Sequence, residues 1–315
     1  MGAYLVRRLG LMLLTLFGIS VVIFVLLRLV PGNIVDILFD SAGMVNPADK
    51  ARIEAELGLD RSLPMQYFGW IGGMLQGDLG FSYVSEKSAW SEIAPRIPVS
   101  ARIAGAALLF AVALGVPLGV ISAIRQNTAL DYLLRVLSLS GLSIPSFWLG
   151  LLVLMGFVAL FGSLPIYTTA PASLGDAVLL VLVPAATVGF RSSALIMRLT
   201  RSAMLEVLGQ DYIRTAHAKG AWPRAVNFRH ALRNALIPVI TVIGIEAAFL
   251  AGGLIVTETV FNIPGLARFL VESIRNRDYP IVPNLVMLIA LLVVLINFIV
   301  DLLYTALDPR IRVEG

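Results

Sequence analysis

The sequence predicts an all-α polytopic membrane protein with about six transmembrane helices, cytoplasmic N and C termini, and a helical external insertion between helices 1 and 2. Three observations predict it. Of 315 residues, 58% are hydrophobic and 14% charged, and the mean hydropathy is +0.88; soluble domains carry roughly 45–50% apolar and about 25% charged residues. Six stretches, 9–30, 100–124, 136–162, 177–197, 235–257 and 282–304, are apolar over a bilayer's thickness. Such a crossing takes about 20 helical residues, because each backbone N–H and C=O must be paired internally. The Lys and Arg residues of the short loops fall on one side of these stretches, the mark of cytoplasmic loops.

The count behind the orientation is direct. Arg7 and Arg8 precede the first span, and Arg125 and Arg135 flank the loop after the second. Arg198, Arg201, Arg214, Lys219, Arg224, Arg229 and Arg233 fill the loop after the fourth, and Arg310 and Arg312 close the chain. The alternate loops differ: 163–176 has no Lys or Arg, 258–281 balances three basic against three acidic residues, and 31–99 holds five basic against nine acidic. The net charge of +4 therefore reports topology. No basic–aromatic interleaving points to nucleic acid.

The first element, residues 1–30, reads as an uncleaved signal-anchor helix: its apolar run is too long for a signal peptide, and no small-x-small cleavage site precedes Arg28, Pro31 and Gly32. Residues 31–99 form an external, periplasmic insertion too long for an ordinary loop. Within it Asn46, Pro47 and Asp49 start a helix over 47–57 that Gly58 stops, and Pro64 to about Leu75 carries the interfacial aromatics Tyr67, Phe68 and Trp70. This insertion is either a cap on the bundle or a docking surface near the substrate entrance.

The core membrane domain spans 100–304. Pro145, within Ser143-Ile144-Pro145-Ser146, and Pro184 and Pro238 free backbone carbonyls and are candidate hinges. Gly252-Gly253 permits close helix contact. Glu246 is costly inside a span and either lines the translocation path or pairs structurally, for example with Arg191. Arg191, Arg28 and Arg102 can snorkel to the interfaces. Asn297 and Asp301, four apart, point to a bond with a neighbouring helix. The tail is 305–315.

The cytoplasmic loop 198–233 is the richest segment. Residues 202–208 continue the fourth span's helix, and Gly209 is expected to end it in the left-handed conformation. Asp211 is a plausible cap for a two-turn helix from Tyr212 to Lys219, with Gly220 as the stop and Pro223 beyond. A helix so short is marginal alone and needs a surface to pack on.

Arg214-Thr215-Ala216, followed after three residues by Gly220, resembles the Glu-Ala-Ala-x-x-x-Gly loop of ABC importer permeases in the form used by the dipeptide and oligopeptide branch. So do Gly77-Asp78-Leu79-Gly80-Phe81-Ser82-Tyr83, Arg201 to Leu208, His230 to Pro238, Glu258-Thr259-Val260-Phe261, Pro264-Gly265-Leu266, Arg277-Asp278-Tyr279-Pro280 and Asp308-Pro309-Arg310-Ile311-Arg312. The resemblance covers essentially the whole chain. Position 217 departs from it, with His where arginine is expected. That either makes a contact pH-dependent or marks a solvated surface residue.

The resemblance implies the ABC importer permease fold in the bacterial inner membrane. The implied partners are a homologous second permease, two cytoplasmic ATPase subunits, an extracytoplasmic solute-binding protein, the lipid bilayer and a peptide or peptide-like substrate. It makes Asp211, Tyr212, Ile213, Arg214, Thr215, Ala216, His217, Ala218, Lys219 and Gly220 the ATPase-coupling helix. Ala216, Ala218 and Gly220 would allow close packing, and Tyr212, Arg214 and Lys219 would anchor it. A lipid-surface helix is the plainer alternative. Ser143, Pro145, Ser146, Pro238 and Glu246 are the candidates for the translocation path or its hinges.

No phosphate-binding Gly-x-x-x-x-Gly-Lys-Ser/Thr loop is present in the sequence, so ATP and Mg are expected on the partner ATPases and no cofactor on this chain. Without cysteine, a thiolate metal site or nucleophile is excluded. His217 and His230 lie in one loop without an HExxH pattern, so an enzyme is not expected. The competing reading is a self-sufficient ion-coupled secondary transporter, for which the sequence shows no convincing repeat.

Overall fold

The computed structural model describes residues 2–29, 58–82, 84–162, 173–276 and 280–307, with Val35, Glu54, Ala55 and Asp278. Helix α1 (Gly2–Leu29) contains the first predicted span. Most of the helix predicted at 47–57 lies outside the described residues, as do 163–172 and 308–315. Helix α2 (Leu63–Leu75) carries Pro64 in its first turn, where a missing N–H costs nothing. A short hairpin, β1 (Phe81–Ser82) and β2 (Lys87–Ser88), pairs Phe81 with Ser88 and Ser82 with Lys87. The Ser88 hydroxyl then accepts from Ser91 N to start α3 (Ala89–Ile124), which passes through one 3-10 turn at Ala94–Arg96.

The third predicted span is not one helix. It is α4 (Ala129–Ser143) and α5 (Ser146–Phe161), bent by 106° at Ile144-Pro145. Proline disfavours a helical residue before it, and Ile144 is extended at φ −78°, ψ 124°. Helix α4 also starts seven residues before the apolar run, because the Thr128 hydroxyl accepts from Asp131 N and caps it.

The fourth span and residues 202–208 form a single 35-residue helix, α6 (Leu174–Leu208). The expectation for Gly209 fails: it is right-handed, at φ −77° and ψ −11°, and the chain leaves the helix at extended Gln210, ψ 148°. Helix α7 (Asp211–Ala218) follows. Next comes α8 (Pro223–Gly252), whose residues Val226–Ala231 are π-helical. The fifth span therefore stops at Gly252 rather than 257. Two consecutive glycines favour leaving a helix, and a separate α9 (Ile255–Val260) follows Gly253. The loop expected over 258–281 contains the unanticipated amphipathic helix α10 (Leu266–Arg275), and α11 (Ile281–Leu307) is the last span. Pro184 and Pro238 sit inside α6 and α8 without interrupting either.

Glycines set the helix pairings. A Cβ on Gly115 would stand 2.8 Å from Ser193 O, one on Gly119 2.6 Å from Met197 O, and one on Gly189 2.7 Å from Ala107 O. Residue numbers rise together in these contacts, so α3 and α6 run parallel with their backbones in close approach. At Gly252 a Cβ would stand 3.3 Å from Val293 Cγ2 of α11. Bonds of Asp131 to Arg201 and of Ser138 to Ala194 set α4 antiparallel to α6. Glu246 of α8 meets Ser192 of α6, and Asn234, nearer the start of α8, meets Tyr212 just beyond the end of α6, so α8 too runs antiparallel to α6. Gly244 against Val300 and Gly252 against Val293 set α11 antiparallel to α8. An ion pair of 2.8 Å, Arg8 Nη1 to Asp301 Oδ2, joins α1 to α11; it supplies the neighbouring-helix partner expected for Asp301. These pairings place the start of α1, the end of α11 and α7 on one face of the bundle, the α7 face.

Candidate coupling surface and polar groups of the spans

Helix α7 is fixed at both ends and on one side. Its N-cap is Gln210, without a side-chain bond, and Asp211 opens the first turn instead of capping it, where its charge complements the helix dipole. At the other end Gly220, at φ +78°, donates its N–H to His217 O at 2.9 Å, while Ala221 N donates to Ala216 O at 3.2 Å. This is the Schellman closure, which needs a residue comfortable in the left-handed region. A Cβ on Gly220 would meet nothing within 4 Å. The backbone conformation, and no packing within the chain, is what calls for glycine there.

Ile213 is the anchor. It is 2% exposed and belongs to a core cluster with Ala111 and Val120 of α3, Ile196, Ala203 and Met204 of α6, and Val226, Ala231, Ala235 and Val239 of α8. Ala216 packs inward beside it. Asn234 Nδ2 donates to the Tyr212 hydroxyl at 2.8 Å, tying the helix to α8. Asp211, Arg214, Thr215, His217, Ala218, Lys219 and Gly220 are exposed on the outer side, with Arg214 and Asp211 3.6 Å apart in a solvated pair. Two residues absent from the sequence-based candidate set join this surface. Trp222 is 81% and Phe228 57% exposed; a tryptophan in a basic loop two residues after the helix stop was the one hint in the sequence.

Two braces tie the spans to one another. Arg201 Nε and Nη2 donate to Asp131 Oδ1 and Oδ2, both at 2.8 Å, and Ser122 Oγ donates to Asp131 Oδ1 at 2.5 Å. Asp131 is wholly buried, so α3, α4 and α6 are held at one carboxylate. In the second, Ser192 Oγ donates to Glu246 Oε2 at 2.5 Å, and Arg191 Nη1 stands 4.0 Å from Glu246 Oε1. Glu246 is buried, while Arg191 is partly exposed and lies over the Phe249 ring. Ser143 and Pro145 are exposed and Ser146 half-buried around the α4/α5 bend; Pro238 is exposed on α8. The structure gathers the α7 residues into one surface but does not join them to this second group.

On the opposite face, several of the recognised motifs meet. Glu258 accepts from Ser100 Oγ at 2.6 Å and Arg268 N at 2.8 Å, and Ser100 Oγ accepts from Leu266 N at 2.8 Å. A Cβ on Gly265 would collide with the Glu258 carboxylate, so Glu258-Thr259-Val260-Phe261 and Pro264-Gly265-Leu266 form one knot around a buried acid. Burial pushes the Glu258 carboxyl above its ordinary value, against the hydrogen bonds it accepts. Ser82 Oγ donates to Asp278 Oδ2 at 2.5 Å. Trp70 Nε1 donates to Asn284 Oδ1 at 2.9 Å, and Asn284 Nδ2 donates to Leu79 O at 2.7 Å. The insertion is thereby stitched to the start of α11. Asp278 too is raised by burial.

Comparison with known proteins agrees with this arrangement. Residues 115–313 match the family described as binding-protein-dependent transport system inner membrane component, and residues 1–104 match its N-terminal companion. The chain is 40% identical to the di/tripeptide transport system permease protein DppB of Pseudomonas aeruginosa, covering 99% of each chain. It is also 40% identical to the dipeptide transport system permease protein DppB of Escherichia coli K12, covering 98% of each. Among solved structures, the inward-facing methionine ABC transporter MetNI gives a TM-score of 0.58 at 20% identity, over 69% of this chain and 96% of that one. That likeness shows the permease fold.

Proposed function

Since the chain belongs to the family of inner membrane components of binding-protein-dependent transport systems, a multi-pass permease of the bacterial inner membrane, we propose that it carries dipeptides or related small peptides as half of an ATP-driven importer. A homologous permease supplies the other half, two cytoplasmic ATPases supply the energy, and an extracytoplasmic binding protein delivers the substrate. The names of its 40%-identical relatives support the substrate class. ATP and Mg belong to the ATPases in this reading, and this chain performs no hydrolysis of its own.

One observation carries the coupling reading: Ile213 is locked into the core shared by α3, α6 and α8, while the other side of α7 is open. A partner that grips Arg214, His217, Ala218 and Lys219 moves those three spans together, since close-packed interiors transmit displacement. The α7 face is then cytoplasmic, as its arginines and lysine favour. Glu246 serves as a brace between α6 and α8, for its carboxylate is already engaged by Ser192.

The test is reconstitution. The chain isolated gently from native membranes should bring a second permease, ATPases and a binding protein, and the assembly in proteoliposomes should import a labelled dipeptide only with ATP. Import by the chain alone, driven by an ion gradient, would overturn the proposal.

A further inference from the structure

A cavity of about 490 Å³ opens between α4 and α6, on the α7 side of the bundle. Its lining is divided. Tyr132, Arg135, Arg198 and Ser202 stand at or about one turn from the level of the Asp131–Arg201 pair, and Val136, Leu139, Leu142 and Met197, with Ser138, line the remainder. The antiparallel course of α4 against α6 sets this order: Asp131 meets Arg201, Ser138 meets Ala194, and Gly141 meets Phe190. Leu142 is thus the deepest lining residue on α4 and Tyr132 the nearest to the α7 face.

The arginines are not equivalent. Arg201 is consumed by Asp131, which takes both of its prongs. Arg135 and Arg198 are exposed and have no carboxylate partner among the described residues; Arg135 only leans on the Tyr132 ring, 5.4 Å from its centroid. Ser138 already donates to Ala194 O, so the apolar part of the lining presents no unmet donor from it. Outside the cavity α4 continues as an apolar surface, with Leu133, Val136, Leu137 and Leu139 all exposed. The cavity therefore pairs two unneutralised cations at one end with a greasy floor open sideways to the bilayer.

We propose that this cavity is a site for an anionic phospholipid, its phosphate between Arg135 and Arg198 and an acyl chain along Val136, Leu139, Leu142 and Met197. A free anion would use the arginines and leave the floor empty. An acidic protein segment would use the arginines but has no reason to be flanked by a lipid-facing apolar helix. A phospholipid meets both halves at once, and basic pockets between membrane helices on the cytoplasmic side suit such headgroups. The cytoplasmic leaflet follows from the orientation proposed above; the site itself does not depend on it.

The test uses the full chain, with the subunits that accompany it, in mild detergent, where leaflet and orientation play no part. Dioleoyl phosphatidylglycerol and dioleoyl phosphatidylcholine are titrated, and lipid retained on this chain is read by native mass spectrometry. Phosphatidylglycerol should bind in preference. Each arginine contributes about fivefold, so Arg135→Gln with Arg198→Gln should weaken retention about twenty-five-fold. Arg125→Gln, an exposed cation on the same face, should leave it unchanged. Leu142→Trp, which fills the floor and keeps every charge, should also displace the lipid, which separates a lost site from a misfolded double variant. Equal binding of the two lipids, or parental retention in the double variant, would overturn the proposal. So would full competition by glycerol phosphate, which marks a free-anion site, or loss of the lipid whenever the second permease is bound, which marks a subunit interface.

Discussion

Shortening Ile213 to alanine should disconnect α7 from the bundle while leaving the bundle standing. Ile213 is 2% exposed and sits where α3, α6 and α8 meet. Removing a buried isoleucine to alanine costs about 2–5 kcal/mol, counting the cavity left behind; a mid-range loss of about 3 kcal/mol shifts a local equilibrium roughly 150-fold. That loss falls on an eight-residue helix with little stability of its own. What remains is the Tyr212–Asn234 bond, worth about 1 kcal/mol, and the smaller apolar contact of Ala216. The assay is dipeptide uptake and ATP hydrolysis in proteoliposomes holding the complete importer. Uptake per ATP should fall at least about tenfold, with membrane levels of the chain unchanged. Ile213→Val, losing about 1 kcal/mol, should stay near the parent. Ile196→Ala removes a buried side chain from the same cluster but within α6, so it should lower thermal stability without the coupling defect. If Ile213→Ala imports with the parental coupling ratio, α7 is not the lever.

Gly220→Val should partly uncouple uptake, because its left-handed backbone costs about 1–2 kcal/mol with a side chain; Gly220→Asn, which tolerates that region, should retain most of it, as the same uptake assay can check. Asp131→Asn should lower thermal stability by about 3–5 kcal/mol by leaving the Arg201 guanidinium half-paired at a buried site, and pairing it with Arg201→Gln should cost less than the two separately, measured by melting in detergent. Burial raises the Glu258 carboxyl above its ordinary 4.5, so the folded state holds the proton more tightly than the unfolded one. Its contribution is then fully present below that ordinary value and is lost as pH rises through the folded one. Glu258→Gln should flatten this limb of a stability-versus-pH curve.

Hydropathy made the spans legible because membrane burial acts on long runs of residues, so α1, α3, α6 and α11 lie where the apolar stretches put them. It misplaced what depends on single residues. The bend at Pro145 was read as a hinge in one helix, since apolar content continues unbroken on both sides while the backbone does not. The end of α8 at Gly252 was lost in the same way, as Leu254, Ile255 and Val256 are as apolar as the helix before them. Helix α10 was missed because its charged face hides it from a span search. Within the 198–233 loop, Gly220 as a stop was readable from residue type; that Asp211 falls in the first turn and leaves Gln210 at the N-cap was not, nor the right-handed Gly209. The Asp131–Arg201 and Ser82–Asp278 bonds join residues 70 and 196 apart in sequence, and no local pattern announces such pairings. Trp222 and Phe228 went unselected because exposure is a property of the folded surface.

The chain has no cysteine, so one introduced cysteine is unique, and this allows the central claim to be tested most directly. Lys219→Cys on the open side of α7 would be joined to its neighbours in native membranes with a short thiol-directed photocrosslinker, and the product identified by mass spectrometry. The account predicts a single dominant adduct with an ATPase subunit, changed in yield when ATP is trapped. Labelling by lipid alone, or by no ATPase in any nucleotide state, would contradict it.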